Sequence, residues 1–173
     1  MQNYTSFYTK FHPSYFIKIN DSLIRYGDFL FESTLTNIQH LIEQVSGRQL
    51  FPVFSIVQSV PDQASFGSIN YKDTQGVSAL LSINPAHTNS LAFEIQGESG
   101  IHLPLNSGEL LIYDTEKVEL KGKEASSGEN TVGLFHYVDA SGKFTDWKFD
   151  KRANIGTLIS RPEMEAKIKT LKG

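Results

Sequence analysis

The central part of the chain alternates short segments of β-branched and aromatic residues with turns, and this feature limits the fold more than any other. The segments are Phe51–Val60, Val77–Ile83, Leu91–Gln96, Glu109–Tyr113, Glu116–Leu120, Thr131–Val138 and Phe144–Phe149. Turn-forming sequences separate them, at 73–76, 106–108, 126–128 and 139–142. Many short strands at regular spacing are typical of a β-sandwich or barrel and argue against a βαβ sheet. We therefore predict a mainly β protein.

Two helices are predicted to flank the strands. In Leu30–Ser46 the apolar residues recur at helical spacing. Ser33 and Thr34 are candidate N-caps of this helix, and Gly47 is its candidate left-handed C-cap. The segment Pro162–Lys172 predicts a second helix, which starts with the proline. Its apolar stripe indicates that it docks on the barrel and consists of Met164, Ile168 and Leu171.

Composition excludes several classes of protein. The chain has 173 residues, which favours one domain. It has no cysteine, which excludes a disulfide framework, a thiolate zinc site, an iron–sulfur cluster and a cysteine nucleophile. Its net charge of −3 argues against nucleic-acid binding. The first residues lack the apolar run of a signal peptide, and no stretch approaches the roughly 20 apolar residues that cross a bilayer. We expect a cytoplasmic protein without a membrane or nucleic-acid partner.

The motifs of common enzyme classes are missing from this sequence. It has no phosphate-binding loop and no GxGxxG, HExxH or GxSxG pattern. No two histidines stand at a spacing that is typical of metal ligands. They are scattered along the chain at His12, His40, His87, His102 and His136. A single histidine is usually a surface or core residue, so spacing alone assigns none of them to a site.

A series of segments in fixed order is more informative than any single motif. The segments begin at Arg25 (RYGD), Glu43 (EQVSGRQL, then FPVFS), Val77 (VSALLSI), Leu105 (LNSGELLIY), Leu134 (LFHYVDASG) and Trp147 (WKFD). This series resembles a family of bacterial 2-oxoglutarate/Fe(II)-dependent oxygenases related to prolyl hydroxylases. The resemblance implies a double-stranded β-helix, a jelly-roll or cupin-like barrel with flanking N-terminal and C-terminal helices. It implies one domain over 1–173, with the barrel and its supporting helix at about 26–152 and the C-terminal helix at 162–172.

The resemblance also implies where an iron site would lie. The family binds iron with an HxD pair and a distal histidine, which together occupy three positions of the metal. The HxD pair corresponds here to Tyr71 and Asp73, so the carboxylate is present and the histidine is a tyrosine. The distal histidine corresponds to Leu120 or a position near it, and a leucine side chain has no lone pair. The expected iron site is therefore degenerate.

The expected 2-oxoglutarate clamp is absent as well. In the family an arginine or lysine follows the distal histidine by about ten residues and binds the far carboxylate of 2-oxoglutarate. Near Asn130 the segment 128–132 contains no basic residue. Ile56 and Gln58 stand where the family carries an aromatic and a basic side chain. A dianion without a cationic partner loses its bidentate clamp. The sequence predicts no cofactor, whereas the family uses Fe(II) and 2-oxoglutarate.

The same positions also have ordinary structural interpretations. Asp73 begins a DTQG sequence, and aspartate favours the first position of a turn. Leu120 fits a core position. An alternative metal site would combine Asp73 with other donors, although the resemblance places none of these at a ligand position: His87, His102, Glu116 and Glu119.

Three functions remain open from the sequence. The first is a non-catalytic oxygenase-like module that binds an unknown small molecule or protein at the former active-site mouth. The second is an active oxygenase that hydroxylates a peptide or small molecule through an unorthodox metal site. The third is a sugar- or lipid-binding jelly roll unrelated to oxygenases. A homodimer is possible, and it is favoured only because homodimers are the commonest assembly of soluble proteins.

Overall fold

The fold is a double-stranded β-helix with flanking helices, as the sequence predicts. The computed structural model describes residues 1–61, 65–69, 74–83, 91–95, 102–124 and 130–172. Its strands form one six-stranded and one four-stranded sheet. All pairings between the described strands are antiparallel. No helix in these ranges is long and apolar enough to cross a membrane.

The two sheets divide the strands in a fixed spatial order. The six-stranded sheet contains, from edge to edge, β1 (Ile17–Ile19), β2 (Ser22–Tyr26), β3 (Leu50–Val60), β10 (Asn130–Asp139), β5 (Val77–Ser82) and β8 (Leu110–Asp114). The four-stranded sheet contains β4 (Ser65–Ile69), β9 (Leu120–Glu124), β6 (Leu91–Ile95) and β7 (His102–Leu105). Strand β10 therefore lies at the centre of the larger sheet, between β3 and β5.

Alternation along β10 separates two apolar clusters. Val132 and Leu134 face the barrel interior, in the same cluster as Leu120 from the smaller sheet. Phe135 and Tyr137 face outward and belong to a second cluster beneath the helices. The Tyr137 hydroxyl donates a hydrogen bond of 2.7 Å to a helix carbonyl. One face of the larger sheet therefore lines the barrel interior, and the other face packs against the supporting helices.

The predicted helix Leu30–Ser46 is two helices in the structure. These are α2 (Phe29–Asn37) and α3 (Gln39–Ser46), preceded in the chain by α1 (Gln2–Phe11), which the sequence analysis did not predict. The N-cap of α2 is Asp28, because its carboxylate accepts hydrogen bonds from the first backbone amides of the helix. Thr34 instead donates to a carbonyl inside the helix, so the prediction of Ser33 or Thr34 as N-cap was wrong. Gly47 ends α3 with φ +68°, which confirms the left-handed cap.

The last helix, α4 (Arg161–Lys172), confirms the predicted C-terminal helix within one residue. Two residues of its predicted apolar stripe, Met164 and Ile168, are buried in the interior cluster. The helix contacts β2. It therefore extends the core beyond the edge of the barrel.

Two predicted strands are wrong. The predicted strand Glu116–Leu120 starts inside a turn at residues 115–117, and β9 begins only at Leu120. The predicted strand Phe144–Phe149 is replaced by a 3-10 segment at Thr145–Lys151, and residues 149–151 in it have positive φ. The cause is the buried Asp150, whose carboxylate accepts hydrogen bonds from the Tyr26 hydroxyl and the Lys167 ammonium group. These contacts hold the backbone in a conformation that a strand does not allow.

A buried ion pair fixes the end of this segment. The Arg152 guanidinium lies 2.5 Å from a carboxylate oxygen of Glu32, which is fully buried in α2. Arg152 also donates a 2.9 Å hydrogen bond to the backbone carbonyl of Phe149. The charge pair and its hydrogen bonds compensate part of the cost of burying both groups. The segment after β10 is thereby held against α2.

Candidate functional site

Four side chains form one row across the interior face of the larger sheet. They come from neighbouring strands, and the strand registers pair them in the order Phe54, His136, Ser78 and Tyr113. His136 alternates with Phe135 and Tyr137, so it points to the same side as Leu134. We call these four residues the interior row. It brings an imidazole, an alcohol and a phenol together inside the barrel.

His136 is a strongly perturbed titratable group of the row. It is fully buried, its Nδ1 lies 2.8 Å from the Ser78 Oγ, and its ring stacks on Phe54 at 5.2 Å. Burial lowers the pKa of His136 to about 4, and a hydrogen bond with the Thr74 backbone partly opposes this shift. The imidazole is therefore neutral at pH 7. Through Thr74 it also touches the backbone next to the predicted ligand position Asp73.

Tyr113 completes the row with a buried phenol. Burial raises the pKa of Tyr113, and the nearby Ser78 side chain lowers it by less. Among the described residues the Tyr113 hydroxyl has no hydrogen-bond partner of normal geometry. Ser78 already interacts with His136. The row therefore presents a neutral hydrogen-bond donor that is not used within the described part of the barrel.

Replacing Tyr113 with phenylalanine should leave the free energy of unfolding unchanged or raise it by about 1 kcal/mol, because the buried hydroxyl makes no hydrogen bond of normal geometry to the described residues. Urea denaturation followed by fluorescence would measure this change. Tyr137→Phe is the matched control, because that hydroxyl donates to the Leu35 carbonyl. It should lose about 1 kcal/mol. A comparable loss of unfolding free energy in Tyr113→Phe would show that the Tyr113 hydroxyl does make a stabilising hydrogen bond.

Leu120, the predicted replacement of the distal histidine, lies inside the barrel. It is the first residue of β9, is 0% exposed and belongs to the interior apolar cluster. It pairs with Ile69 on one side and Ile95 on the other. Leu120 is therefore a core residue, as the structural interpretation of its position in the sequence proposed.

The other predicted metal positions fall in different places. Tyr71, Asp73 and His87 lie outside the described residues. Strand β4 ends at Ile69, which is the partner of Leu120 and the last described residue before 70–73. Of the alternative donors, Glu116 is exposed in the turn before β9, and Glu119 is partly buried between that turn and Leu120. That positions 71, 73 and 120 meet at one site, as the resemblance implies, therefore stays a prediction.

The predicted clamp region lies at the far end of β10. Asn130 opens the strand, is 2% exposed and pairs with Val60. Val132 is the first residue of β10 in the interior cluster, and its strand partners are Gln58 and Ser82. Gln58 donates hydrogen bonds to the Ser22 hydroxyl and the Phe66 carbonyl. Val132, Gln58 and Ser82 carry neutral side chains, and residues 128 and 129 of the predicted clamp region lie outside the described residues.

The described residues do not fit the iron site of the oxygenase family. That site needs two imidazoles and a carboxylate on one metal. In the described ranges no three histidine or acidic side chains are grouped so that they could hold a metal ion. Among the described interior side chains His136 contributes an imidazole, whereas Leu120 offers no donor atom. We therefore derive no reaction step through a metal.

Sequence reasoning overlooked the interior row because it judged histidines by their spacing along the chain. Ser78 and His136 are 58 residues apart. A usable signal was present, since His136 falls on the same face as Val132 and Leu134 when β10 is read with a period of two. The alternation identified an inward histidine that motif spacing did not.

Comparison with known proteins gives a likeness in structure only. The sequence matches no family model and no curated protein. The structure is similar to an oxidoreductase of the 2OG-Fe(II) oxygenase family from Burkholderia pseudomallei, with a TM-score of 0.56 and 11% identity over 71% of each chain. It is similar to a Pseudomonas putida prolyl-4-hydroxylase, with a TM-score of 0.57 and 12% identity over 80% of this chain and 85% of that one. The chain has an oxygenase-like fold.

A third similar structure bears on cofactors. HygX from Streptomyces hygroscopicus has a TM-score of 0.53 and 11% identity over 79% of this chain and 78% of that one, and its structure contains nickel and 2-oxoglutarate. The prediction that the chain takes no cofactor is therefore wrong. That prediction rested on a few side chains. In HygX, a barrel of the same fold accommodates a metal ion and 2-oxoglutarate.

Proposed function

We propose that the chain is a non-catalytic binding module built on an oxygenase-like barrel. The observation that carries this proposal is Leu120, which is fully buried where the resemblance expects the distal metal ligand. An alkyl group in that place removes a donor atom and occupies interior volume. The ligand would bind at the barrel end that carries Leu120 and the interior row, since this end holds an imidazole, an alcohol and a phenol in one place.

The neutral chemistry of the interior row supports binding rather than turnover. His136 is uncharged at pH 7 because burial lowers its pKa to about 4. Tyr113 stays protonated because burial raises its pKa. Such groups orient a ligand by hydrogen bonds and supply no charge to a reacting centre.

Succinate release from 2-oxoglutarate tests this proposal. The purified chain is incubated with Fe(II), ascorbate, oxygen and 2-oxoglutarate, and we expect succinate at the level of the reaction without protein. Thermal melting in the same buffer with Ni(II) and 2-oxoglutarate, the pair present in HygX, reports binding separately from turnover. Protein-dependent succinate release would overturn the non-catalytic assignment.

A second candidate is an active oxygenase with an unorthodox metal site. The observation that favours it is His136, an imidazole in the interior next to the backbone of Thr74. Under this alternative, His136→Gln would abolish protein-dependent succinate release and Leu120→Ile would retain most of it. If the chain releases no succinate, both variants stay at background and the first proposal stands.

A further inference from the structure

A groove lies outside the barrel, at the end opposite the interior row. It has a volume of about 540 Å³ and runs between α1, the β1–β2 hairpin and the end of β3. Pockets that hold small molecules typically measure about 300–1,000 Å³. Its wall includes Val60, six positions along β3 from Phe54 of the interior row. At about 3.3 Å per residue the two regions are roughly 20 Å apart.

The lining of the groove combines an apolar floor with two positive side chains. Leu23, Val60 and Pro61 contribute to the floor. Lys10 at the end of α1 and Lys18 on β1 line it from two different elements. Neither lysine takes part in the ion pairs found in the described ranges.

The remaining polar groups leave a positive balance. Among the described residues that line the groove, Asp21 is the acidic one and Lys10 and Lys18 are the basic ones. The Ser59 hydroxyl in the wall already accepts a hydrogen bond from Thr131. Helix α1 is anchored through Tyr4, which donates a 2.8 Å hydrogen bond to the Asp28 carboxylate. The groove is therefore bounded by an anchored helix.

We propose that this groove binds a small amphipathic carboxylate, with its acyl chain on the apolar floor and its carboxylate near Lys10 and Lys18. Charge complementarity supports this class of ligand, because neither lysine takes part in an ion pair among the described residues and both lie beside apolar surface. The Lys10 ammonium lies over the exposed ring of Phe11, at 5.4 Å from its centroid. Burial of an acyl chain supplies non-directional affinity, and the lysines select a charged head group. The inference is independent of the function proposed for the barrel interior.

Binding of octanoate and of 1-octanol, measured by calorimetry at low ionic strength, tests the proposal. Octanoate should bind about tenfold more tightly, since a charge-assisted contact replaces a neutral one. Lys10→Gln and Lys18→Gln should each weaken octanoate binding about three- to tenfold and leave octanol binding unchanged. Lys143→Gln is the matched control, because Lys143 is exposed and does not line the groove.

A variant that blocks the groove distinguishes binding inside it from nonspecific attraction to the positive charges. Thr9 lines the groove from α1, so Thr9→Trp should abolish binding of both probes while thermal melting confirms that the variant folds. Equal affinities for octanoate and octanol, unchanged octanoate binding in both lysine variants, or competition by acetate at the same concentration would each overturn the proposal. Absence of octanoate binding would also overturn it. Succinate release does not enter this test.

Discussion

Replacing Tyr71 and Leu120 together with histidine is expected to create a His/Asp/His metal site with Asp73. Leu120 lies inside the barrel beside the end of β4, which leads to positions 71 and 73. Two imidazoles and a carboxylate hold one face of a divalent metal, whereas two ligands bind weakly. The melting temperature of the double variant should therefore rise on addition of Co(II), by more than in the original chain or in either single variant.

Without metal, the Leu120→His substitution should be costly. Leu120 is 0% exposed among apolar side chains, so an imidazole there loses packing and leaves polar atoms unsatisfied. We expect the free energy of unfolding to fall by about 3 kcal/mol. Urea denaturation of the metal-free variant measures this loss, and Co(II) should restore part of it in the double variant.

A matched variant shows whether the metal effect needs the imidazole. The control combines Tyr71→His with Leu120→Asn. It also buries a polar side chain at position 120, but it lacks the second imidazole. It should be destabilised to a similar extent and respond to Co(II) like the single variants. If the His/His variant shows no larger shift than this control, then positions 71, 73 and 120 do not converge on one site.

The barrel was predictable because its central strands carry their own signal. Val132, Leu134 and Val138 alternate with outward residues along β10, and this pattern is visible in the sequence without any partner strand. The short strands β1 and β4 were missed for the opposite reason. They have 3 and 5 residues, and such short strands depend on pairing with distant segments, which local patterns do not contain.

The error at Phe144–Phe149 shows a tertiary contact overriding local preference. The aromatic residues there favour a strand. The chain instead turns through left-handed conformations at residues 149–151, so that the Asp150 carboxylate reaches Tyr26 and Lys167. Tyr26 lies 124 positions before Asp150, and no window of sequence around Phe149 reveals that contact.

The candidate site was predictable where it depends on position in the barrel. The resemblance placed Leu120 in the interior, where the structure has it, because that position follows from strand order. The absence of a clamp base near Asn130 stays a prediction. The resemblance said nothing about the interior row, since Ser78, Tyr113 and His136 meet only through the pairing of β10, β5 and β8. The inference about cofactors failed because it treated individual ligands as decisive for a barrel that accommodates a metal in HygX.

The stability of the protein is expected to fall by about 3 kcal/mol between pH 6.5 and pH 4 through His136 alone. Burial lowers the pKa of His136 to about 4 in the folded protein, against 6.5 for the free side chain. Above pH 6.5 both states are neutral and the full stability is present. As the pH falls, the unfolded chain binds a proton that the folded protein does not, so unfolding becomes easier. Each unit of pKa difference corresponds to about 1.4 kcal/mol.

His136→Gln should flatten this part of the pH profile. Glutamine keeps a polar side chain beside Ser78 but has no group that titrates between pH 4 and 6.5, so the contribution of His136 disappears while the carboxylates still titrate. Urea denaturation at several pH values compares this variant with the original chain and with His40→Gln, which replaces an exposed histidine. The difference between His136→Gln and the other two should grow as the pH is lowered to 4. If the three proteins lose stability in parallel as the pH falls, then His136 takes up its proton in the folded protein as readily as in the unfolded chain. The full burial of His136 between Phe54 and Ser78 opposes that outcome.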